Sequence, residues 1–255
     1  MPVRINRNPS DPEMVSHLDR AEKSSDKTMG RLSSGWRISE AADDPAGLSI
    51  SENLRSRIGS LNKEIDNTSQ AIRKYDTADD TVNQLRSIAN DLRSMAVGAA
   101  NAGGSDASSR AAYQNAADRA VDSYNRIIKT ATYNNANLLD GSEGSLVGLS
   151  NLPRIDLQSP DKASSAVERV DQALTELDKA QGTIGATQKF DLEARRSDLE
   201  VTTQNLAAAD SQIRDADYSL EIATMIRDQI QVRAGVSLLA HANVTQNSVV
   251  SLMGG

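Results

Sequence analysis

The stretch from Pro45 to Asn101 constrains this chain more than any other. Leu54, Ile58, Leu61, Ile65, Ile72, Tyr75, Ala78, Val82, Leu85, Ile88, Leu92 and Met95 follow one another at steps of mostly three and four. That spacing gathers apolar side chains into one stripe on an α-helix. The pattern predicts a single long helix, ended by Asn101-Ala102-Gly103-Gly104. At 1.5 Å per residue, about 50 residues extend roughly 75 Å. A helix of that length cannot bury its own stripe, so it requires partner helices packed along a coiled-coil-like seam.

The same sequence supplies them. A second helix is expected from about Ala107 to Thr130 and a third over Asp161–Ala208. In the third, Val167, Val170, Leu174, Leu177, Gln181, Ile184 and Gln188 keep a three-four rhythm. Leu192, Arg195, Leu199, Thr202, Leu206, Ala209 and Ile213 resume it after a one-step stutter. Near the C-terminal end, Ile222, Met225, Gln229, Val232, Val236, Leu239 and Asn243 form a stripe that Ile226, Ile230, Ala240 and Val244 widen. At the N-terminal end, Ser10-Asp11-Pro12-Glu13 is a helix start. It leads into a weak stripe of Val15, Leu18, Met29 and Leu32, marginal as an isolated helix. Pro9 and Pro12 imply an extended arm at residues 1–10. Gly35 reads as a helix C′ residue, and Asp44-Pro45 as the N-cap and first turn of the long helix. Residues 134–160 are irregular, and their short apolar pieces, Leu146-Val147 and Ile155-Asp156-Leu157, are the only strand material. The expected fold is mainly α. It is an elongated antiparallel helical bundle or coiled coil with the N- and C-terminal helices paired and a small β-hairpin near the tip.

Composition closes several functional classes. The 255 residues carry a net charge of -7, which argues against nucleic-acid binding. There is no cysteine, hence no disulfide frame, thiolate nucleophile or Cys-ligated zinc. The two histidines, His17 and His241, leave little for acid–base or metal chemistry. Only 3% of residues are aromatic, which favours helices packed through Ala, Leu, Ile and Val. No apolar run reaches the 18 or so residues of a membrane span, and the polar N-terminus lacks a secretory signal core. Asp43-Asp44, Asp79-Asp80 and Asp215-Ala216-Asp217 read as caps and solvated faces rather than metal sites. Trp36 reads as a packing anchor. No catalytic, cofactor-binding or metal-ligating residue is assigned. The broad apolar face beginning at Ile222 exceeds what the apolar-poor N-terminal helix can cover, so it is expected to be buried between subunits.

Several segments carry a family resemblance. Leu32-Ser33-Ser34-Gly35-Trp36-Arg37-Ile38 and Ala41-Ala42-Asp43-Asp44-Pro45-Ala46-Gly47-Leu48-Ser49-Ile50-Ser51-Glu52 resemble the N-terminal signature of bacterial flagellin. Arg93–Asn101 is similar to the end of that family's first long helix, and Asn137-Leu138-Leu139-Asp140-Gly141 to its turn into a hairpin. Ala209–Tyr218 resembles its C-terminal spoke, and Leu238-Leu239-Ala240-His241-Ala242-Asn243 its last helix, with His241 where Gln is usual. The motifs occur in the family's order along nearly the whole chain.

The resemblance implies a short flagellin with two layers, D0 and D1, and no outer domains. Its plan would be a D0 helix at 1–34, a spoke at 35–44, a D1 rod at 45–208, a spoke at 209–217 and a D0 helix at 218–255. Within the rod, helices would occupy 45–100, 107–130 and 161–208, with the irregular or hairpin tip at 134–160. The implied function is self-assembly into the flagellar filament for swimming. The implied assembly face is Ile222, Met225, Ile226, Ile230, Val236, Leu239 and Val244. The family-signature residues of the spokes are Leu32, Arg37, Ile38, Asp43, Asp44, Pro45, Arg214 and Asp215. Implied partners are further copies of the chain and other flagellins, an export chaperone, the type III export apparatus, the filament cap and the hook–filament junction proteins. The implied location is the extracellular flagellum, whether bare, sheathed or periplasmic. The family's innate receptor in mammals reads a basic residue, a Leu and a Glu. Asp91, Met95 and Ala116 stand at those positions here, which implies poor recognition. The alternatives are a hook–filament junction protein and another coiled-coil assembly protein.

Overall fold

The structure is a computed structural model that describes residues 11–253. In chain order it contains α1 (Asp11–Ser34), α2 (Pro45–Ala100), α3 (Ala107–Thr130), β1 (Thr132–Tyr133), β2 (Ala136–Asn137) and α4 (Pro160–Ala186). A π-helical turn (Thr187–Glu193), α5 (Ala194–Arg214) and α6 (Tyr218–Met253) follow. The arm expected at residues 1–10 lies outside the described residues. Two compact units emerge. One holds α1, α2 as far as Ser60 and residues from Thr203 onward; the other holds Leu61–Thr202.

The second unit is built on a seam of small and large side chains. From α2, Ala78, Val82, Leu85, Ala89, Leu92, Ala96 and Ala99 are buried at unbroken three-four steps. They meet Ala117, Val121, Tyr124 and Ile128 of α3 and the Ala163–Ile184 stripe of α4. The buried line differs from the expected one: Ala89 and Ala96 occupy it, while Ile88 and Met95 are only partly buried beside it. Alanine at the line lets backbones approach, and the larger side chains fill the flanks. This packing suits a chain with few aromatics. α2 and α4 run antiparallel, as polar pairs mark: Arg93 Nε to Asp171 at 2.6 Å, Arg86 to Asp178, and Gln181 Nε2 to Asn83 Oδ1 at 3.0 Å. Such exposed pairs add little stability but fix register.

The hairpin forms earlier than expected. β1 and β2 pair through Asn134 and Asn135, with φ of 49° and 64°, the geometry of a type I′ turn, which asparagine tolerates. The pieces expected to be strands, Leu146-Val147 and Ile155–Leu157, lie in an irregular segment that side-chain amides hold in place. Gln114 of α3 donates to Ile155 O (2.8 Å) and accepts from Leu157 N–H (2.6 Å). Asn125 does the same for both backbone groups of Leu152, each at 2.8 Å. Backbone polar groups are thus satisfied without a ladder, and Leu152, Ile155 and Leu157 enter the core.

The third helical stretch also differs from expectation. The stutter after Gln188 is absorbed as a π turn, and the helix runs on to Arg214 rather than ending near Ala208. Its last turns are engaged with the start of α2: the buried Ser51 donates to Asp210 Oδ1 at 2.6 Å, and Arg214 pairs with Glu52. Residues 215–217 connect α5 to α6.

In the first unit α1 and α6 pair antiparallel. Arg31 Nη1 lies 3.2 Å from Glu221 Oε1, and a Cβ built on Gly235 would fall 3.2 Å from Leu18 Cδ1. The seam is polar for a coiled coil, since Thr28, Glu221 and Asp228 are all buried.

Candidate functional site

Two places in the first unit hold the functional candidates. The first is the crossing of the two connectors. Gly35 leaves α1 with φ +77°, its N–H donating to Arg31 O at 2.8 Å, a left-handed helix stop. The chain then lies antiparallel to the second connector. Trp36 bridges Asp215, Arg37 N–H donates to Arg214 O (2.7 Å), and Ala216 N–H donates to Gly35 O (2.9 Å). The Arg37 guanidinium donates to Ile213 O. Arg214, 8% exposed, sits with its guanidinium 4.1 Å from the centre of the Trp36 ring and its Nη1 3.0 Å from Glu52 Oε1. Trp36 is 40% exposed. The packing anchor expected from sequence is thus a plate for the Arg214 cation, and a partly desolvated stack of this kind contributes about 1–2 kcal/mol.

Asp43 organises the loop between Ile38 and α2. Its Oδ2 accepts from Ser39 and Glu40 N–H, at 3.2 and 3.3 Å, and Lys27 Nζ of α1 lies 2.5 Å from Oδ1. The hydrogen bond from Lys27, reinforced by these backbone donors, holds the Asp43 carboxyl well below the usual carboxylate range. Asp44 Oδ1 accepts from Gly47 N–H at 2.9 Å and so caps α2, with Pro45 as its first residue. Ile38, 1% exposed, packs beneath this cap. Leu32 O accepts from the Tyr218 hydroxyl (2.8 Å), Asp215 from the Ser211 hydroxyl, and Asp217 Oδ1 from Ser219 and Leu220 N–H at the start of α6. The eight signature residues therefore gather at or beside one junction, and their acidic groups serve as caps and pair partners. Among the described residues no group of three or more His, Cys, Asp or Glu could hold a metal ion.

The second place is the outer face of α6. Ile222, Ile226, Ile230, Val236 and Val244 are exposed, as are Leu220 and Leu238, from 41% at Ile222 to 64% at Leu220. Met225 and Leu239 are half-buried in line with Glu221, Asp228, Val232 and Gly235. The seven expected assembly residues thus divide into five outward ones and two toward the α1 seam. Sequence reasoning missed Leu220 and Leu238, because a helix apolar on most sides has no single stripe to trace. It also missed the buried Asp228, whose Oδ2 has no hydrogen-bond partner among the described residues. α1 turns Glu13, Asp19, Arg20, Glu22 and Lys23 to solvent together with Val15 and Met29, and on α6 the exposed Arg227, Gln229, Gln231 and Arg233 stand among the aliphatic side chains. His17 and His241 are both exposed. Asp91 and Ala116 are exposed, and Met95 packs partly against the core of the second unit.

The family model of the bacterial flagellin N-terminal helical region matches residues 5–144, and that of the bacterial flagellin C-terminal helical region matches residues 167–253. The flagellar filament 33 kDa core protein of Treponema phagedenis is 28% identical, over 98% of this chain and 99% of that protein. A flagellin of Halalkalibacterium halodurans is 30% identical, over 89% of this chain and 91% of its own length. A flagellin of Bacillus subtilis is 26% identical, over 98% of this chain and 100% of its own length.

Proposed function

The chain belongs to the bacterial flagellin family, and on that premise we propose that it is a structural subunit that polymerises into the flagellar filament for swimming. The relatives it matches from end to end are named filament proteins or flagellins, so the junction-protein alternative is set aside. One observation carries the assembly step: α6 turns seven large aliphatic side chains outward in a single chain. An exposed apolar patch of this extent marks an association surface. In the reading put forward here, copies join head-to-tail through heterologous contacts that do not close, and so build a helix. α1 and α6 form the inner D0 layer, with Ile222, Ile226, Ile230, Val236 and Val244 buried against neighbouring copies. Met225 and Leu239 hold the pair together from within. The connector junction, with Arg214 and Asp43 at its centre, fixes how α1 and α6 leave α2 and α5. α2 to α5 make up the D1 layer. The subunit is exported through the flagellar type III apparatus with a chaperone and meets the junction and cap proteins outside the cell.

The test uses purified monomer, a precipitating salt or filament seeds, negative-stain microscopy and far-UV circular dichroism. Wild-type protein is expected to give long uniform filaments with a rise in helix content. The double variant Ile226→Asp/Ile230→Asp is expected to keep the thermal transition of the monomer and to form no filaments. Filaments from that variant at the wild-type critical concentration would overturn the assigned face. A wild-type protein that stays monomeric under all these conditions would overturn the filament reading.

A further inference from the structure

The π turn between α4 and α5 holds one ring out in solvent. Gln188 and Leu192 are both half-buried, while Phe190, midway between them and so on the opposite side of the turn, is 71% exposed. It is the one phenylalanine in the sequence. π turns are rare, and they recur at functional positions. Here the turn accommodates the stutter and lifts a large ring away from the seam. Lys189 Nζ lies 5.9 Å from the centre of that ring, and Asp191 follows it, exposed. The result is an aromatic knob with a cation on one side and a carboxylate on the other.

The same unit contains a matching hollow. Gln70, Ala71 and Lys74 of α2, with Tyr133, Asn134 and Ala136 of the hairpin, line a shallow cavity of about 260 Å³. Its walls offer an aromatic ring, two alanine methyls and the aliphatic stem of Lys74, which are favourable surroundings for a phenyl ring. Lys74 Nζ donates to Gly144 O at 3.0 Å, beside the exposed Glu143. The rim therefore offers Lys74 to Asp191 and Glu143 to Lys189. Knob and hollow lie at one level of α2, because Gln188 Nε2 donates to Asp76 Oδ1 at 2.7 Å, within a turn of Lys74. A protruding apolar group and a complementary pocket elsewhere on the same molecule make a heterologous contact that propagates.

We infer that Phe190 of one copy seats in the Ala71–Tyr133 hollow of a neighbouring copy, with Asp191 against Lys74 and Lys189 against Glu143, as a lateral contact of the assembled filament. The contact rests on the filament reading above and adds a site separate from the α6 face. The absence of native cysteine makes the test direct. Phe190→Cys and Ala71→Cys are made in separate chains, mixed, and co-assembled with excess wild-type protein. Any disulfide between the two labelled positions is then intermolecular by design. Mild oxidation of the filaments is expected to give a covalent dimer that neither single variant gives alone and that unassembled monomers do not give. Separately, Phe190→Ala is expected to keep the monomer's thermal transition and to raise the critical concentration about tenfold. Normal filaments with no specific dimer, and an unchanged critical concentration for Phe190→Ala, would overturn the contact and leave the filament reading standing. Failure of wild-type protein to polymerise would remove both.

Discussion

A Cβ built on Gly47 falls 2.4 Å from Asp44 Oδ2 and 2.9 Å from Ile38 Cδ1. Gly47→Ala must therefore displace the capping carboxylate or open the seat of Ile38. We expect a loss of about 1–3 kcal/mol, read as a lower melting temperature of the monomer. Asp43 makes a pH-dependent contribution. Its folded carboxyl titrates below the unfolded value of about 3.9, so the stabilisation is complete above that value and is lost as pH falls from there through the lower folded value. Asp43→Asn should flatten the acid limb of the stability curve below about pH 4, measured by denaturant unfolding across pH. Asp91, Met95 and Ala116 replace the basic residue, Leu and Glu that the family resemblance implies for receptor binding. Weak activation of reporter cells carrying the mammalian flagellin receptor is expected from the wild type, and a gain from Asp91→Arg/Met95→Leu/Ala116→Glu. Strong activation by wild-type protein at low concentration would refute the assignment. Local rules made the Gly35 stop and the Asp44-Pro45 cap readable, because their partners are a few residues away. The Trp36–Arg214 stack and the Lys27–Asp43 pair were not readable, since no spacing rule links groups that tertiary folding alone brings together.

Periodicity showed where the helices are, and failed where the chain departs from it. The stutter after Gln188 was legible as a slipped rhythm. That it becomes a π turn bearing an outward Phe190, rather than a break, depends on the register that α2 imposes on both sides. The hairpin was misplaced because two Asn residues supplied the turn that Gly usually marks, and because Gln114 and Asn125 replace ladder bonds in the segment that follows. On α6 the pattern gave the helix but not its faces. Asp228 is the telling residue there: 3% exposed, with one carboxylate oxygen unpartnered. A buried polar atom without a partner costs about 1–3 kcal/mol. Asp228→Ala should therefore strengthen the α1–α6 pair, seen as higher helix content and a higher melting temperature of free monomer. No change on removing the carboxylate would mean that water reaches it.

For the whole molecule, the helical class and the antiparallel return of the chain could be read from seams of matched length. The division at Ser60 and Leu61 could not, because α2 runs through it without a break in pattern. Net charge also acts at this scale. Subunits of formal charge -7 repel as they pack. Raising ionic strength from about 0.01 M to 0.15 M shortens the screening length from about 30 Å to 8 Å. The critical concentration for assembly should fall over that range, as sedimentation would show. The two units differ in how they are drawn from the chain. The middle one is an unbroken segment, Leu61–Thr202, whereas the other joins residues from both sides of it. Its contacts span great lengths: Arg31 meets Glu221 across 190 positions, and Tyr218 meets Leu32 across 186. Closures within the middle segment are shorter, such as Gln188 to Asp76 across 112 positions, and closure entropy rises only slowly with length, so the order of folding follows the order in which partners are made. During synthesis the middle can condense as soon as residue 202 has emerged. α1, made before any other helix, is thus among the last to find its partner.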